Sequence, residues 1–224
     1  MIRAIIFDLD ETLLNRTETV KHFLMDQHRR YPAIQVRVLE HRYVSRFLEL
    51  DNHGYTKKDV VYPQLVEEFA IEMDWHQLLT DFDNRREWPR LVLFPRVEEY
   101  LQQKHQEGYK LGIITNGTTN AQLSKIEKTG LDKLVDTYLI SEKEQIRKPE
   151  PEIFLRAAKR LDVATTECIF IGDNPRADVT GAQQVGMKTI WFQGHLAWPE
   201  DLDNRPDQVV TEFEAMFSID LERL

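Results

Sequence analysis

Short runs rich in Ile, Val and Phe recur along the chain: Arg3 to Phe7, Lys110 to Thr115, Thr137 to Ile140, Cys168 to Ile171 and Lys188 to Phe192. Within each, apolar residues sit side by side instead of alternating with polar ones, the pattern of strands buried on both faces. A weaker run spans Gln208 to Val210. Between the later runs lie stretches of helical periodicity. Ala121, Leu123 and Ile126 belong to one; Phe154, Ala157, Ala158 and Leu161 follow Pro151 at a first helical position; Ala177, Ala182 and Val185 precede a capping Gly186. Strand-helix alternation predicts an α/β fold with a doubly wound parallel sheet and right-handed crossovers.

The segment from about Asn15 to Leu93 breaks this rhythm and reads as helices one after another. Val36, Leu39, Tyr43, Phe47 and Leu50 form one apolar stripe at helical spacing, and Val61, Leu65, Phe69 and Met73 form another. Pro63 is expected to kink or restart the second helix. Such stripes serve either as helix-to-helix core or as a ligand groove. An insert that enters straight after the first strand is placed to act as a lid.

Composition adds boundaries. No run approaches the ~18 apolar residues of a membrane span. The first residues lack a signal-peptide pattern, and the lone Cys168 suits a reducing compartment, so a cytoplasmic location is expected. Flanked by Ile169 and Phe170, Cys168 reads as a buried structural thiol. The net charge of -9 argues against nucleic acid or an anionic membrane as partner, but leaves room for a small phosphorylated ligand.

Acidic residues stand where the apolar runs stop: Asp8 and Asp10 after Ile5-Ile6-Phe7, Asp173 after Ile169-Phe170-Ile171-Gly172, and Asp178 five residues later. In an open parallel sheet the ligand crevice lies beyond the carboxyl ends of the strands, so these carboxylates are expected to converge there on a metal and a phosphate. Asp8 and Asp10 leave the same face of an extended segment. Two carboxylates so close bias one toward its protonated form unless a cation compensates, which yields one nucleophile and one acid. In Ile113-Ile114-Thr115-Asn116-Gly117-Thr118, a hydroxyl, an amide and a glycine precede a helix, a corner suited to an anion; the alternative is a simple N-cap at Thr118 or Thr119. Lys148, within Arg147-Lys148-Pro149-Glu150-Pro151, is restricted in direction by stiff neighbours, or else is a solvated charge. Magnesium takes one or two carboxylates and completes its shell with water and phosphate. Asp8 plus Asp173 meets that count, with Asp178 either orienting Lys148 or a metal-bound water, or an ordinary helical aspartate.

Taken in order, Asp8-Leu9-Asp10-Glu11-Thr12-Leu13, Thr115-Asn116, Lys148-Pro149 and Gly172-Asp173 with Asp178 resemble the four motifs of the haloacid dehalogenase (HAD) superfamily, in its phosphatase members with a helical cap between the first and second motifs. The resemblance implies a Rossmann-like core of residues 1–14 and 94–224 with the first-motif strand central. It also implies a mobile all-helical cap over residues 15–93 and magnesium-dependent hydrolysis of phosphomonoesters. Asp8 would attack phosphorus to form an aspartyl-phosphate, while Asp10 protonates the leaving oxygen and later deprotonates water. Asp8, Asp173 and the backbone carbonyl of Asp10 would hold the metal. Lys148 would stand opposite, and Thr115 with the amide of Asn116 would cradle a phosphoryl oxygen. Two positions depart from the commonest pattern: Glu11, and Gln145 or a neighbour, stand where glycine is usual.

The Asp-Glu-Thr-Leu and Gly-Asp-Asn features look like the branch that includes pyrimidine nucleoside monophosphatases, so the expected substrate is a nucleoside monophosphate or a small phosphosugar. Candidate contacts in the inserted segment, such as Arg16, His22, Arg42 and Arg46, read individually as solvated surface groups. The competing readings are a 2-haloacid dehalogenase, which Asp10 argues against because a departing halide needs no proton, a phosphomutase, and a non-catalytic binding module on the same fold.

Overall fold

The computed structural model describes residues 1–84 and 88–224. They divide into two compact units, Arg16–Val92 and the combination of Met1–Asn15 with Leu93–Leu224.

The first unit is built from α1 (Arg16–Arg30), α2 (Pro32–Gln35), α3 (Glu40–Asp51), α4 (Lys58–Glu68) and α5 (Trp75–Asp83). Aromatic rings interlock at its centre: Phe23 stacks on Trp88 at 4.7 Å, and Phe82 meets Trp88 at 5.1 Å and Phe47 at 5.6 Å. Gln27 is fully buried among them, accepts from the hydroxyls of Tyr43 (2.8 Å) and Tyr62 (3.1 Å), and donates to the Leu78 carbonyl (3.2 Å) and Asp81 (2.9 Å). Every polar atom of that amide therefore has a partner, which is the condition for burying it.

The expected stripes are shorter than the periodicity suggested. Val36 caps α2 and Leu39 precedes α3, so neither shares a helix with Tyr43, and they are 76% and 64% exposed. The interruption of helix between α2 and α3 removes the common face. α4 contains Pro63 and continues to Glu68 instead of restarting there, and Phe69 and Met73 reach the core from the turn that follows. Arg16 is no solvated group: it pairs with the fully buried Asp51 at 2.8 Å.

In the second unit, β1 (Ala4–Phe7), β2 (Lys110–Thr115), β3 (Thr137–Ile140), β4 (Cys168–Gly172), β5 (Lys188–Phe192) and β6 (Gln208–Val210) form one parallel sheet in the order β3-β2-β1-β4-β5-β6. This is the doubly wound α/β architecture expected from the pattern, with β1 flanked by β2 and β4. The helices are α6 (Val97–Gln106), α7 (Thr119–Lys128), α8 (Ser141–Glu144) and α9 (Pro151–Arg160), followed by a wide π-type turn at Pro175–Thr180 that runs into the short α10 (Gly181–Gln183).

Both faces of the sheet are covered, which explains the unbroken apolar runs. Ala4, Ile6, Ile114, Leu139 and Phe170 pack with Ile153, Phe154 and Ala157 of α9 on one side. On the other, Phe7 meets Tyr100 of α6 edge-on at 6.3 Å. Among the described residues no helix is long and apolar enough to cross a membrane.

Candidate active site

Strand register brings the acidic residues together. Phe7 lies opposite Ile171 of β4 and Ile113 of β2, and the Asp8 N–H donates to the Ile171 carbonyl at 2.8 Å, carrying the ladder one residue past β1. Asp8 therefore emerges beside Gly172 and Asp173, with Thr115 at the end of the neighbouring strand. Gly172 is required here because a Cβ would collide with the Asp178 carboxyl group. The Asn174 side chain accepts from the N–H groups of Arg176 (3.0 Å) and Ala177 (2.9 Å), and the Asn174 N–H donates back to Asp178 at 2.9 Å. This turn aims Asp178 at the end of β1, and the indole N–H of Trp191 fixes the Asp173 carbonyl at 2.8 Å.

Carboxylate oxygens of Asp8, Asp173 and Asp178 all lie within 4.8 Å of one another, and all three residues are buried. The Lys148 ammonium, itself buried, sits 2.6 Å from Asp8 Oδ1 and 2.7 Å from Asp178 Oδ1. Burial, reinforced by the charges of Asp178 and Asp10, pushes Asp8 up to about 7 against the opposing pull of Lys148. Burial, then Asp178 and Asp8, push Asp173 well above the carboxylate range. For Lys148, burial pulls downward but Asp178 and Asp8 more than offset it, so it stays charged. Hard oxygen donors from three buried aspartates around one lysine fit a divalent cation, and Asp8, Asp173 and Asp178 each offer an oxygen to it.

Asn116 adds a brace. Its side-chain amide donates to the Lys148 carbonyl (3.0 Å) and accepts from the Lys148 N–H (2.9 Å), which fixes the backbone that carries the ammonium. With the side chain so engaged, the backbone amide is the part of Asn116 left to meet an anion. The N-cap alternative is corrected in detail: Thr118 holds the N-cap position of α7 without a side-chain bond, and Glu142 accepts from the Thr119 N–H at 2.7 Å in its place.

Glu11 (φ 59°) and Gln145 (φ 57°) both adopt the left-handed conformation, the physical reason glycine suits these two positions. Cys168 is buried, and burial pushes its thiol up to about 12, which leaves it inert.

Two site residues escaped the sequence reading. Lys125 of α7 lies 2.8 and 2.7 Å from the two oxygens of Asp10, and Gln122, one turn earlier, lies 2.9 Å from Asp10 and 2.5 Å from the Thr115 hydroxyl. The available signal was their spacing of three on a helix that opens straight after the Thr115-Asn116-Gly117 corner.

A family model described as haloacid dehalogenase-like hydrolase matches residues 5–192. A glyceraldehyde 3-phosphate phosphatase from Pyrococcus abyssi is 32% identical over 86% of this chain and 82% of its own. A phosphoserine phosphatase from Thermus thermophilus is 35% identical over 61% of this chain and 53% of its own. The crystal structure of a HAD phosphatase from Thermococcus onnurineus superposes with a TM-score of 0.64 at 25% identity, covering 97% of each chain. The chain belongs to the haloacid dehalogenase-like hydrolase family, within which these named relatives are phosphatases.

Proposed function

We propose that this protein hydrolyses a small phosphomonoester with magnesium, through an aspartyl-phosphate on Asp8. The observation that carries this reading is Asp8 itself: a buried carboxylate held by Lys148, within 4.8 Å of Asp173 and Asp178, with Asp10 two residues on. An oxygen of Asp8 attacks phosphorus, the bond from phosphorus to the ester oxygen breaks, and Asp10 gives its proton to that oxygen. In the second half Asp10 takes a proton from water as the water oxygen attacks phosphorus. The Asp8-phosphorus bond then breaks and inorganic phosphate leaves. Asp8, Asp173 and the Asp10 carbonyl would hold magnesium, which when bound would supply positive charge against the phosphoryl oxygens. Lys148 adds a fixed charge beside Asp8, Thr115 and the Asn116 backbone amide hold a phosphoryl oxygen, and Asp178 keeps Lys148 in place.

The relatives named above act on a triose phosphate and on phosphoserine, which supports a small phosphorylated metabolite as the substrate class. A phosphate-release screen over sugar phosphates, phosphoamino acids and nucleoside monophosphates, with and without magnesium, tests the reading. Activity is expected only with the metal, and Asp8→Asn is expected to lose roughly 10⁴-fold or more. Undiminished release by Asp8→Asn, from a preparation free of host phosphatase, would refute it.

A further inference from the structure

The phosphatase chemistry proposed above leaves Lys125 without a task, yet its position demands one. Lys125 is only 6% exposed, and a buried ammonium is strongly disfavoured unless an anion meets it in good geometry. That anion is Asp10, whose two oxygens lie nearly equidistant from Nζ, at 2.8 and 2.7 Å.

The orientation of Gln122 follows from its neighbours. Lys125 can only donate, so the oxygen of the Gln122 amide faces it at 2.8 Å, and the amide nitrogen, itself only a donor, faces an oxygen of Asp10 at 2.9 Å. The same nitrogen reaches the Thr115 hydroxyl oxygen at 2.5 Å. With a lone pair of Oγ1 taken by an N–H, the hydroxyl hydrogen is directed to another acceptor. A phosphoryl oxygen is such an acceptor.

We infer that Lys125 and Gln122 are positioning residues that lock the proton-transferring carboxyl of Asp10 and the phosphate-holding hydroxyl of Thr115 into one rigid frame. An oxygen of the substrate held by Thr115 then sits at a set distance from the group that serves the leaving oxygen. The inference rests on the phosphatase reading and goes beyond it by assigning the α7 face.

The test compares kcat/KM for an alkyl phosphate, whose leaving oxygen needs a proton, with that for p-nitrophenyl phosphate, whose leaving oxygen departs without one. Lys125→Met is expected to lose about 100-fold with the alkyl ester and about 3-fold or less with the aryl ester. The same discrimination is expected from Asp10→Asn, and the double variant is expected to lose little beyond Asp10→Asn alone. Gln122→Leu, a smaller perturbation should Lys125→Met not fold, is expected to show the same selectivity and to weaken competitive inhibition by inorganic phosphate about 5-fold.

Equal losses on both esters, or full additivity with Asp10→Asn, would overturn the inference and leave Lys125 a structural ion pair. If the wild-type protein hydrolyses neither ester, nor any member of the phosphomonoester panel, it is the phosphatase reading that fails instead.

Discussion

Each compact unit buries aspartate, and the two treat it in opposite ways. In the helical unit Asp51 is fully buried against Arg16 at 2.8 Å and against Lys58. Burial by itself would raise its pKa, but the two cations hold it below the ordinary carboxylate range. At the strand ends Asp8 and Asp178 share Lys148 while Asp173 stands within 4.8 Å, and there burial and mutual repulsion win: Asp8 rises to about 7 and Asp173 well above its usual value. A carboxylate met by two cations is a closed strut. Three carboxylates around one cation form a site that another positive charge would stabilise. Charge balance, more than burial, separates the two.

The sharpest way to break this contrast is to neutralise each aspartate in turn. Asp51→Asn leaves Arg16 and Lys58 buried around a neutral group and is expected to cost about 3–5 kcal/mol in urea unfolding of the full chain. A loss under about 1 kcal/mol would erase the distinction.

Asp8→Asn is expected to act in the reverse sense on the metal-free protein. The ordinary pKa of Asp8 is 3.8 and its folded value is about 7. Between these values the folded chain keeps a proton that the unfolded chain has released, so the Asp8 contribution lowers stability as pH rises through that window. Measured against the wild type from pH 4 to pH 8, the variant should gain about 1–3 kcal/mol, most of it below pH 7, with little further change above. Saturating magnesium should narrow the gap by stabilising the wild type. A pH-independent difference between the two proteins would contradict the burial-driven shift.

The smallest expected effect lies at an exposed residue three positions before Lys148. Gln145→Gly should raise stability by about 1 kcal/mol because the left-handed backbone at φ 57° strains a side chain and not a glycine. An unchanged unfolding midpoint would show that contacts of the Gln145 side chain already offset that strain.

The strands were legible because buried parallel strands are locally apolar at successive positions: four of the six runs match the observed bounds, and β1 and β4 shift by one residue at one end. Asp8, Asp10, Thr115, Lys148, Asp173 and Asp178 were legible for a related reason. The first five lie within three residues of the end of an apolar run or beside a Gly or Pro that shapes the corner, and Asp178 follows Asp173 by five. Lys125 was not, because periodicity in α7 pointed to Ala121, Leu123 and Ile126. Only Ile126 of those is fully buried, whereas Gln122, Ser124 and Lys125 are buried too. Asn116 was singled out as an anion holder, and the grip of its side chain on the backbone of Lys148 was not foreseen. Neither partnership leaves a local mark.

What the sequence alone determined is therefore the order of strands and helices, the type of sheet and the set of strand-end carboxylates, since these follow from propensity and hydrophobic pattern within a few residues of each position. Tertiary structure alone decided which lysine serves which aspartate. Lys148 and Asp8 are 140 positions apart, and Lys125 and Asp10 are 115 apart. Only the register of β1 against its neighbours brings each pair within Coulomb range, where burial makes the pairing obligatory.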